Sequence, residues 1–173
     1  MPIYNITDSE LGRLLVGGTE KGICAVSLGD TDIALEQELM QQYPKAQLNK
    51  NDSNLNRWLD LLKSYIADRQ EELTLPLDIR GTAFQQQVWE KLQGIPCGTT
   101  STYSQIARDL GRPKAARAVA LACAANSIAL AIPCHRVLRS DGSLGGYRWG
   151  LQRKQALLEK EYKLLDNINI KSR

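Results

Sequence analysis

The chain has 173 residues, of which 43% are hydrophobic and 24% charged, and its mean hydropathy is −0.32. This fits one soluble domain or two small ones, and no apolar run approaches the roughly 18 residues of a membrane span. The four cysteines lack CxxC pairing and there is one histidine, which disfavours a disulfide scaffold and a metal site. We therefore expect reduced thiols in the cytoplasm, or in the nucleus of a eukaryote.

The two halves of the chain carry opposite net charge. Residues 1–79 hold 7 Lys and Arg against 13 Asp and Glu, a net −6, whereas residues 80–173 hold 15 against 6, a net +9. A basic half favours a polyanion partner such as nucleic acid. An unevenly charged, solvated surface is the alternative, and charge alone does not decide between them.

The first half predicts a small α/β domain over residues 1–80. Its helix signals include Asp30 or Asp32 as a cap, and Pro76 assigns the last strand to a sheet edge. The predicted elements, in chain order, are a hairpin (12–18 and 22–28), a helix (33–42), a polar turn-rich segment (45–54), a second helix (55–66) and an edge strand (73–79).

The second half, residues 81–173, predicts mainly helices. Thr82 with Gln85 and Thr102 with Gln105 have capping-box spacing, so each pair marks a helix start. Two short helices, about 103–110 and 114–125, flank a turn with Gly111 and predict a helix-turn-helix. A last helix is predicted over 151–165, with an apolar face made of Leu151, Leu158, Tyr162 and Leu165.

The segment 115–125 is unusual because seven of its eleven residues are alanine. Alanine favours helices and has almost no side chain, so this helix can either pack tightly in the core or approach a ligand closely. Arg112, Lys114 and Arg117 cluster near its start, where the helix dipole favours phosphate. A transcription regulator would carry base-reading Arg, Asn or Gln along such a helix, and alanines are poorly suited to that role.

A candidate nucleophile lies in the segment IPCHRV, residues 132–137. A cysteine behind an apolar run is most often buried and inert. Here His135 directly follows Cys134, and Arg136 and Arg139 add positive charge nearby. We therefore expect the pKa of the Cys134 thiol to be lowered. Adjacent side chains rarely face each other, which favours a water between thiol and imidazole and a carboxylate that orients the imidazole. Glu161 is the candidate carboxylate, although an exposed helix glutamate is the simpler interpretation.

Several short motifs follow one another in the second half: FQQQVW, IPCG, RPKAARAVA, ACAAN, IPCHRV, DGS and GYRWG. Together they resemble the O6-alkylguanine-DNA alkyltransferase family over about residues 80–162. The resemblance implies an α/β, ribonuclease-H-like small domain over residues 1–80. It implies a mainly α, winged-helix-like helix-turn-helix domain over residues 81–173.

The resemblance implies DNA repair by transfer of the alkyl group from O6-methylguanine to Cys134, with the protein consumed in one turnover and no cofactor or metal. His135 would deprotonate the thiol through a water, Glu161 would be its carboxylate partner, and Asn126 would brace the active-site turn. The implied alkylguanine pocket is formed by Tyr103, Val137, Tyr147 and Arg148.

The implied partner is double-stranded DNA that contains O6-alkylguanine, bound from the minor groove by a monomer without membrane association. The base must be flipped to reach a protein thiol, and Arg117 would take its place in the stack. The other implied DNA contacts are Tyr103, Ser104 (where many members have glutamine), Arg112, Ala115, Ala116 and Ser140. Two other functions stay open: a damage sensor or regulator without chemistry, and a Cys-His hydrolase that turns over repeatedly.

Overall fold

The computed structural model describes residues 1–67 and 73–171. It contains two compact units, Met1–Arg80 with Ser127–Ala131 and Gly81–Asn126 with Ile132–Arg173. The sequence-based boundary at residues 80 and 81 assigns 127–131 to the second unit, whereas in the structure this segment belongs to the first. None of the helices described combines the length and apolar character needed to cross a membrane.

The first unit is built on a four-stranded sheet. Its elements are β1 (Ile3–Ser9), β2 (Gly12–Thr19), β3 (Gly22–Gly29), α1 (Asp32–Gln42), β4 (Gln47–Leu48) and α2 (Ser53–Ile66). The strand order is β3-β2-β1-β4, with antiparallel β1/β2 and β2/β3 pairs and a parallel β1/β4 pair. The predicted hairpin and both helices are confirmed, whereas β1 was not predicted and β4 lies in the segment predicted as turns.

The two helices cover opposite faces of this sheet. Leu15 packs in one cluster with Leu35 and Leu39 of α1. Side chains alternate along a strand, so Gly18 faces the other side, where a Cβ would lie 2.7 Å from the Trp58 ring of α2. Thr31, and neither aspartate, caps α1: its side chain accepts a hydrogen bond from Ala34 N at 3.2 Å.

Two segments from outside the sheet pair with the edge strand β3. Val26 N donates to Ser127 O at 3.0 Å and Ala129 N donates to Val26 O at 3.0 Å. Near the start of β3, Ile23 exchanges backbone hydrogen bonds with Pro76 O and Asp78 N. The predicted strand over 73–79 is therefore wrong in extent: the pairing is one isolated bridge at Leu77.

The second unit is mainly helical. Its elements are α3 (Ala83–Gln93), β5 (Ser101–Thr102), α4 (Tyr103–Asp109), α5 (Ala116–Ala124), a 3₁₀ turn (Cys134–Arg136), β6 (Val137–Leu138) and α6 (Leu151–Lys171). The Thr82–Gln85 capping box is confirmed, with both reciprocal hydrogen bonds present. The two-residue strands β5 and β6 pair in parallel and bring the start of α4 next to the segment that follows the 3₁₀ turn.

The predicted buried face of α6 is wrong. Leu151, Tyr162 and Leu165 are exposed, and among the side chains described up to Asp166 the buried ones are Lys154, Leu157 and Glu161. This face can be buried because its two charged side chains have partners inside the unit, which offset the cost of removing them from water.

Candidate active site

An open cavity of about 730 Å³ lies in the second unit, against α5. Cys134 is among its lining residues and is 5% exposed. The small side chains Ala116, Ala120 and Ala124 form the wall on α5, so the helix leaves space for a flat ligand beside the thiol. Among the residues that the structure describes, the lining is Tyr103, Ser104, Ala116, Arg117, Ala120, Leu121, Cys123, Ala124, Cys134, Arg139, Ser140, Gly146, Tyr147 and Arg148.

Asn126 holds the turn that carries Cys134. Its buried Nδ2 donates to Ile132 O at 3.0 Å and contacts Cys134 Sγ at 3.4 Å. The amide thus ties the end of α5 to the residues on either side of Pro133 and gives the sulfur one hydrogen-bond donor. Such a donor stabilises a thiolate more than a neutral thiol.

Behind the thiol lies a buried charge network. His135 Nε2 lies 3.0 Å from Glu161 Oε2, and both side chains are inaccessible to solvent. Arg136 holds the same carboxylate through Nε to Oε1 at 2.8 Å and Nη2 to Oε2 at 2.9 Å, and its Nη1 donates to Ile95 O at 2.8 Å. The carboxylate therefore fixes the imidazole orientation and is itself fixed by a bidentate arginine.

The protonation states follow from this arrangement. Burial would raise the pKa of Glu161, but hydrogen bonds from Arg136 and His135 hold that pKa well below its usual range, so the carboxylate is charged. Burial lowers the pKa of His135, which keeps the imidazole neutral near pH 7. A neutral imidazole that donates Nε2–H to Glu161 presents Nδ1 as an acceptor, and this buried atom has no hydrogen-bond partner among the described residues.

The expectation of a lowered thiol pKa is wrong for the protein at rest. Burial raises the pKa of Cys134, and the Asn126 hydrogen bond and the charges of Lys154 and Arg148 offset only part of that rise. Arg136 contributes no unpaired charge because Glu161 neutralises it. The resting thiol is therefore neutral, and ionisation requires a base.

Lys154 is a buried cation that is not among the site residues predicted from the sequence. Its Nζ donates to Val137 O at 2.7 Å, to Gly146 O at 3.1 Å and to Leu144 O. One side chain of α6 thus joins β6 to the loop that forms a wall of the cavity. Its spacing with Leu157 and Glu161, three and seven residues along a helix, was the available signal for a shared buried face.

That loop packs against Tyr103. A Cβ at Gly145, where φ is +69°, would lie 2.9 Å from the Tyr103 hydroxyl, so only glycine allows this approach. Burial raises the pKa of Tyr103 to about 12, which keeps its hydroxyl protonated and able to donate. Tyr147 packs edge-on to both His135 and Trp149, with ring centroids 6.5 and 5.2 Å away.

The structure gathers most of the residues singled out in the sequence, but not all. Seven of them line the cavity with Cys134: Tyr103, Ser104, Ala116, Arg117, Ser140, Tyr147 and Arg148. His135, Asn126, Glu161 and Val137 are buried outside its lining. Arg112 also lies outside it, 5.5 Å from the Phe84 ring, and Ala115 precedes α5 as its N-cap. In residues 1–67 and 73–171 no three His, Cys, Asp or Glu side chains are grouped to hold a metal ion.

Two domain models of one protein family match almost the whole chain. The model described as 6-O-methylguanine DNA methyltransferase, ribonuclease-like domain, matches residues 3–79, and that described as the DNA binding domain matches residues 83–163. The chain is 54% identical over 158 residues to the bifunctional transcriptional activator/DNA repair enzyme Ada of Escherichia coli. This alignment covers 91% of the chain but 45% of that relative, so the chain spans about half its length.

A methylated-DNA–protein-cysteine methyltransferase of Mycolicibacterium paratuberculosis is 37% identical, with 91% of each protein covered. Among solved structures, Mycobacterium tuberculosis OGT in complex with DNA superimposes with a TM-score of 0.81 at 36% identity, with 94% of both chains covered. The two-part fold, with an N-terminal sheet domain and a helical C-terminal domain, is shared with these proteins. The chain belongs to the 6-O-methylguanine DNA methyltransferase family.

Proposed function

We propose that this protein repairs DNA by transferring the alkyl group of O6-methylguanine directly to Cys134, and that each molecule acts once. One observation carries the proposal: Cys134 lines an open cavity walled by alanines, and the next residue in the chain, His135, forms a buried pair with Glu161. A thiol at the end of such a cavity can reach a flat ligand that enters from α5. The relatives named for methyl transfer to a protein cysteine support the same chemistry.

The transfer is a single displacement between the Cys134 thiol and the methyl group, and it needs no further reactant. Cys134 Sγ attacks the methyl carbon, a C–S bond forms, and the C–O6 bond breaks. The electron pair of that bond stays on the guanine, which takes up a proton and is restored. A thioether is a poor leaving group, so the protein keeps the methyl group and does not turn over.

The thiol proton moves to His135 in this proposal. A water between Sγ and Nδ1 takes the proton and passes it to the imidazole, since adjacent side chains do not face each other. Glu161 stabilises the imidazolium that forms, and Arg136 holds Glu161 in place. Asn126 stabilises the sulfur as it gains negative charge.

The proposed partner is double-stranded DNA, approached through α5. Its exposed Ala-rich face fits closely against a minor groove, and Arg117 projects from it at the edge of the cavity. We propose that the lesion flips out, that Arg117 fills the gap in the stack, and that Tyr103, Tyr147, Arg148 and the backbone around Val137 form the base pocket. Ser104, Arg112, Ala115, Ala116 and Ser140 are the further proposed DNA contacts.

We also propose the finer fold descriptions. The sheet with one helix on each face supports a ribonuclease-H-like small domain over residues 1–80 together with 127–131. The α4–α5 pair next to the β5/β6 ribbon supports a winged-helix-like helix-turn-helix domain over the rest of residues 81–173.

Intact mass and peptide mapping after incubation with an O6-methylguanine duplex test the function. We expect one methyl group per protein molecule, on the Cys134 peptide, and guanine restored in the duplex. The matched control is the same duplex with unmodified guanine. Tight binding that leaves protein and lesion unchanged would indicate a sensor, and sustained turnover of an ester or amide would indicate a hydrolase; either result contradicts the proposal.

Arg117→Ala tests the flipping step separately from the chemistry. Its loss is expected to slow repair of the duplex by at least about tenfold, because no side chain then supports the unstacked state. Reaction with free O6-benzylguanine, which needs no flipping, is expected to stay near the wild-type rate. Equal losses on both substrates would refute the role of Arg117 in the stack.

A further inference from the structure

Leu121 on α5 is an exposed apolar side chain at the cavity that holds Cys134. It is 67% exposed and contributes to the cavity lining. In the described part of the second unit, the other exposed large apolar side chains, Leu151, Tyr162 and Leu165, lie outside this lining. A single exposed leucine is ordinary on a protein surface, so it is the position of Leu121, and not its exposure, that needs an explanation.

The helix holds Leu121 in a defined direction. Val119 and Ala122 lie on the buried face of α5, and the indole N–H of Trp89 donates to Ala122 O at 2.9 Å. Arg117 precedes Leu121 by four residues, so the two side chains lie on the same face of the helix, one turn apart. Both residues are exposed and both line the cavity, and they therefore form the α5 side of its opening.

The cavity has an inner and an outer end. Cys134 is 5% exposed and marks the inner end, whereas Leu121 marks the outer end. O6 and N9 lie at opposite ends of the guanine ring system, so a guanine with O6 at the thiol has N9 toward the opening. Because N9 carries the sugar, the sugar of a flipped nucleotide comes to the opening, where Leu121 lies.

We propose that Leu121 packs against the deoxyribose of the flipped nucleotide and makes the protein selective for deoxyribose over ribose. This inference rests on the proposed function, which brings a nucleotide into the cavity. A deoxyribose presents mainly C–H groups, including the C2′ methylene, and contact with a leucine side chain removes them from water.

A ribose differs at this contact by one hydroxyl group. The hydroxyl on C2′ would lose water against Leu121 and gain no hydrogen bond, because a leucine side chain has neither a donor nor an acceptor. Leu121 thus determines which sugar is accepted and takes no part in the methyl transfer.

Transfer rates from two matched duplexes test this selectivity. The duplexes are identical DNA, except that the O6-methylguanine nucleotide of one carries a 2′-hydroxyl. The protein is kept below saturation, so that the measured rate includes binding. Wild-type protein should react with the deoxyribose lesion at least about fivefold faster than with the ribose lesion.

The same two rates are measured for Leu121→Ala. This variant should react about five- to tenfold more slowly with the deoxyribose lesion, because the apolar contact is lost. Its ratio of deoxyribose to ribose rates should be at least about threefold smaller than that of wild type. Any effect of the hydroxyl on the duplex itself is the same for both proteins and cancels in this comparison.

Two further variants serve as controls. Leu151→Ala removes an exposed leucine at the start of α6, outside the cavity lining, and should keep both wild-type rates. Leu121→Met keeps the apolar bulk and should keep the wild-type ratio. An unchanged ratio in Leu121→Ala, a lost ratio in Leu121→Met, or an equal change in Leu151→Ala would each overturn the inference. Failure of wild-type protein to acquire a methyl group would instead refute the proposed function.

Discussion

At the scale of single residues, the side chain of Lys154 is buried away from solvent. Its ammonium group donates hydrogen bonds to three backbone carbonyls in place of water. Burial lowers the pKa of Lys154 and so disfavours its charged form. The carbonyl oxygens around the ammonium group offset this cost. These bonds hold the loop at Gly145 against Tyr103. The residue therefore contributes both to folding and to the shape of the cavity.

Lys154→Met is expected to reduce the free energy of unfolding by about 3 kcal/mol, at roughly 1 kcal/mol for each carbonyl left without its donor. Denaturant unfolding measures this loss. Lys163→Met, at an exposed position of the same helix, should change stability by less than about 0.5 kcal/mol. Equal stability of the two variants would contradict the bonding role of Lys154.

The pH dependence of transfer reports on His135. Because burial lowers the pKa of the imidazole, it stays neutral and able to accept a proton as the pH falls to about 6.5, and the wild-type rate should be nearly flat from there to pH 8. In His135→Gln the rate should follow the thiolate fraction, which rises about tenfold per pH unit below the raised thiol pKa.

Single-turnover rates on a lesion duplex at several pH values distinguish these profiles. Near pH 7 the variant should be at least about 10²-fold slower than wild type. Parallel profiles for the two proteins would show that His135 does not accept the proton.

Residues differ in how far the sequence could predict them. Cys134 and His135 stand out in the sequence because the one histidine of the chain directly follows a cysteine. The sequence did not predict the ion pair between Arg136 and Glu161, because only the fold brings these two residues together. The expected lowering of the Cys134 pKa is wrong for the same reason, because burial is a property of packing and outweighs the nearby charges.

At the scale of elements, α5 combines good helix-forming residues with an exposed wall of small side chains. Composition predicted the helix, but it could not separate a buried helix from one that borders a cavity. The face of α6 was mispredicted because apolar spacing ignores buried, partnered charges such as Lys154 and Glu161. The capping box at Thr82 was predicted correctly because it depends only on neighbours in sequence, whereas the cap of α1 is Thr31 and neither of the two aspartates beside it.

The small side chains of α5 give a test at this scale. Ala120 lines the cavity, whereas Ala118 is exposed but outside its lining. Ala120→Leu should slow repair of a lesion duplex at least about tenfold, because a bulky side chain would prevent close approach of DNA. Ala118→Leu has the same helix propensity change and should repair at the wild-type rate. Similar rates for the two variants would remove the argument for a close-fitting helix.

At the scale of the whole molecule, the chain leaves the second unit at 127–131 to complete the first. Ile128, Ala129 and Leu130 are fully buried there, and Leu130 adopts a left-handed backbone with φ +71°. A non-glycine residue in this conformation persists only where its surroundings hold it. Motif order predicted two units, but this return of the chain depends on long-range pairing with β3, for which the local sequence gives no signal.

A fragment of residues 81–173 therefore lacks the strands that bury 127–131. We expect it to unfold at a lower temperature than the full chain, by more than about 5 °C, or to aggregate through the exposed apolar segment. Adding residues 1–80 as a separate chain should raise the midpoint again. A fragment as stable as the full protein would show that the segment needs no partner.

The neutral state of the buried sulfur has a further consequence if, as proposed above, each molecule is spent by a single transfer. A permanently ionised thiol would react with oxidants and with any small electrophile that diffuses past. A thiol that ionises only when a base accepts its proton is protected against such losses. We therefore expect hydrogen peroxide and iodoacetamide to inactivate the protein slowly, whereas its reaction with the damaged base should be fast.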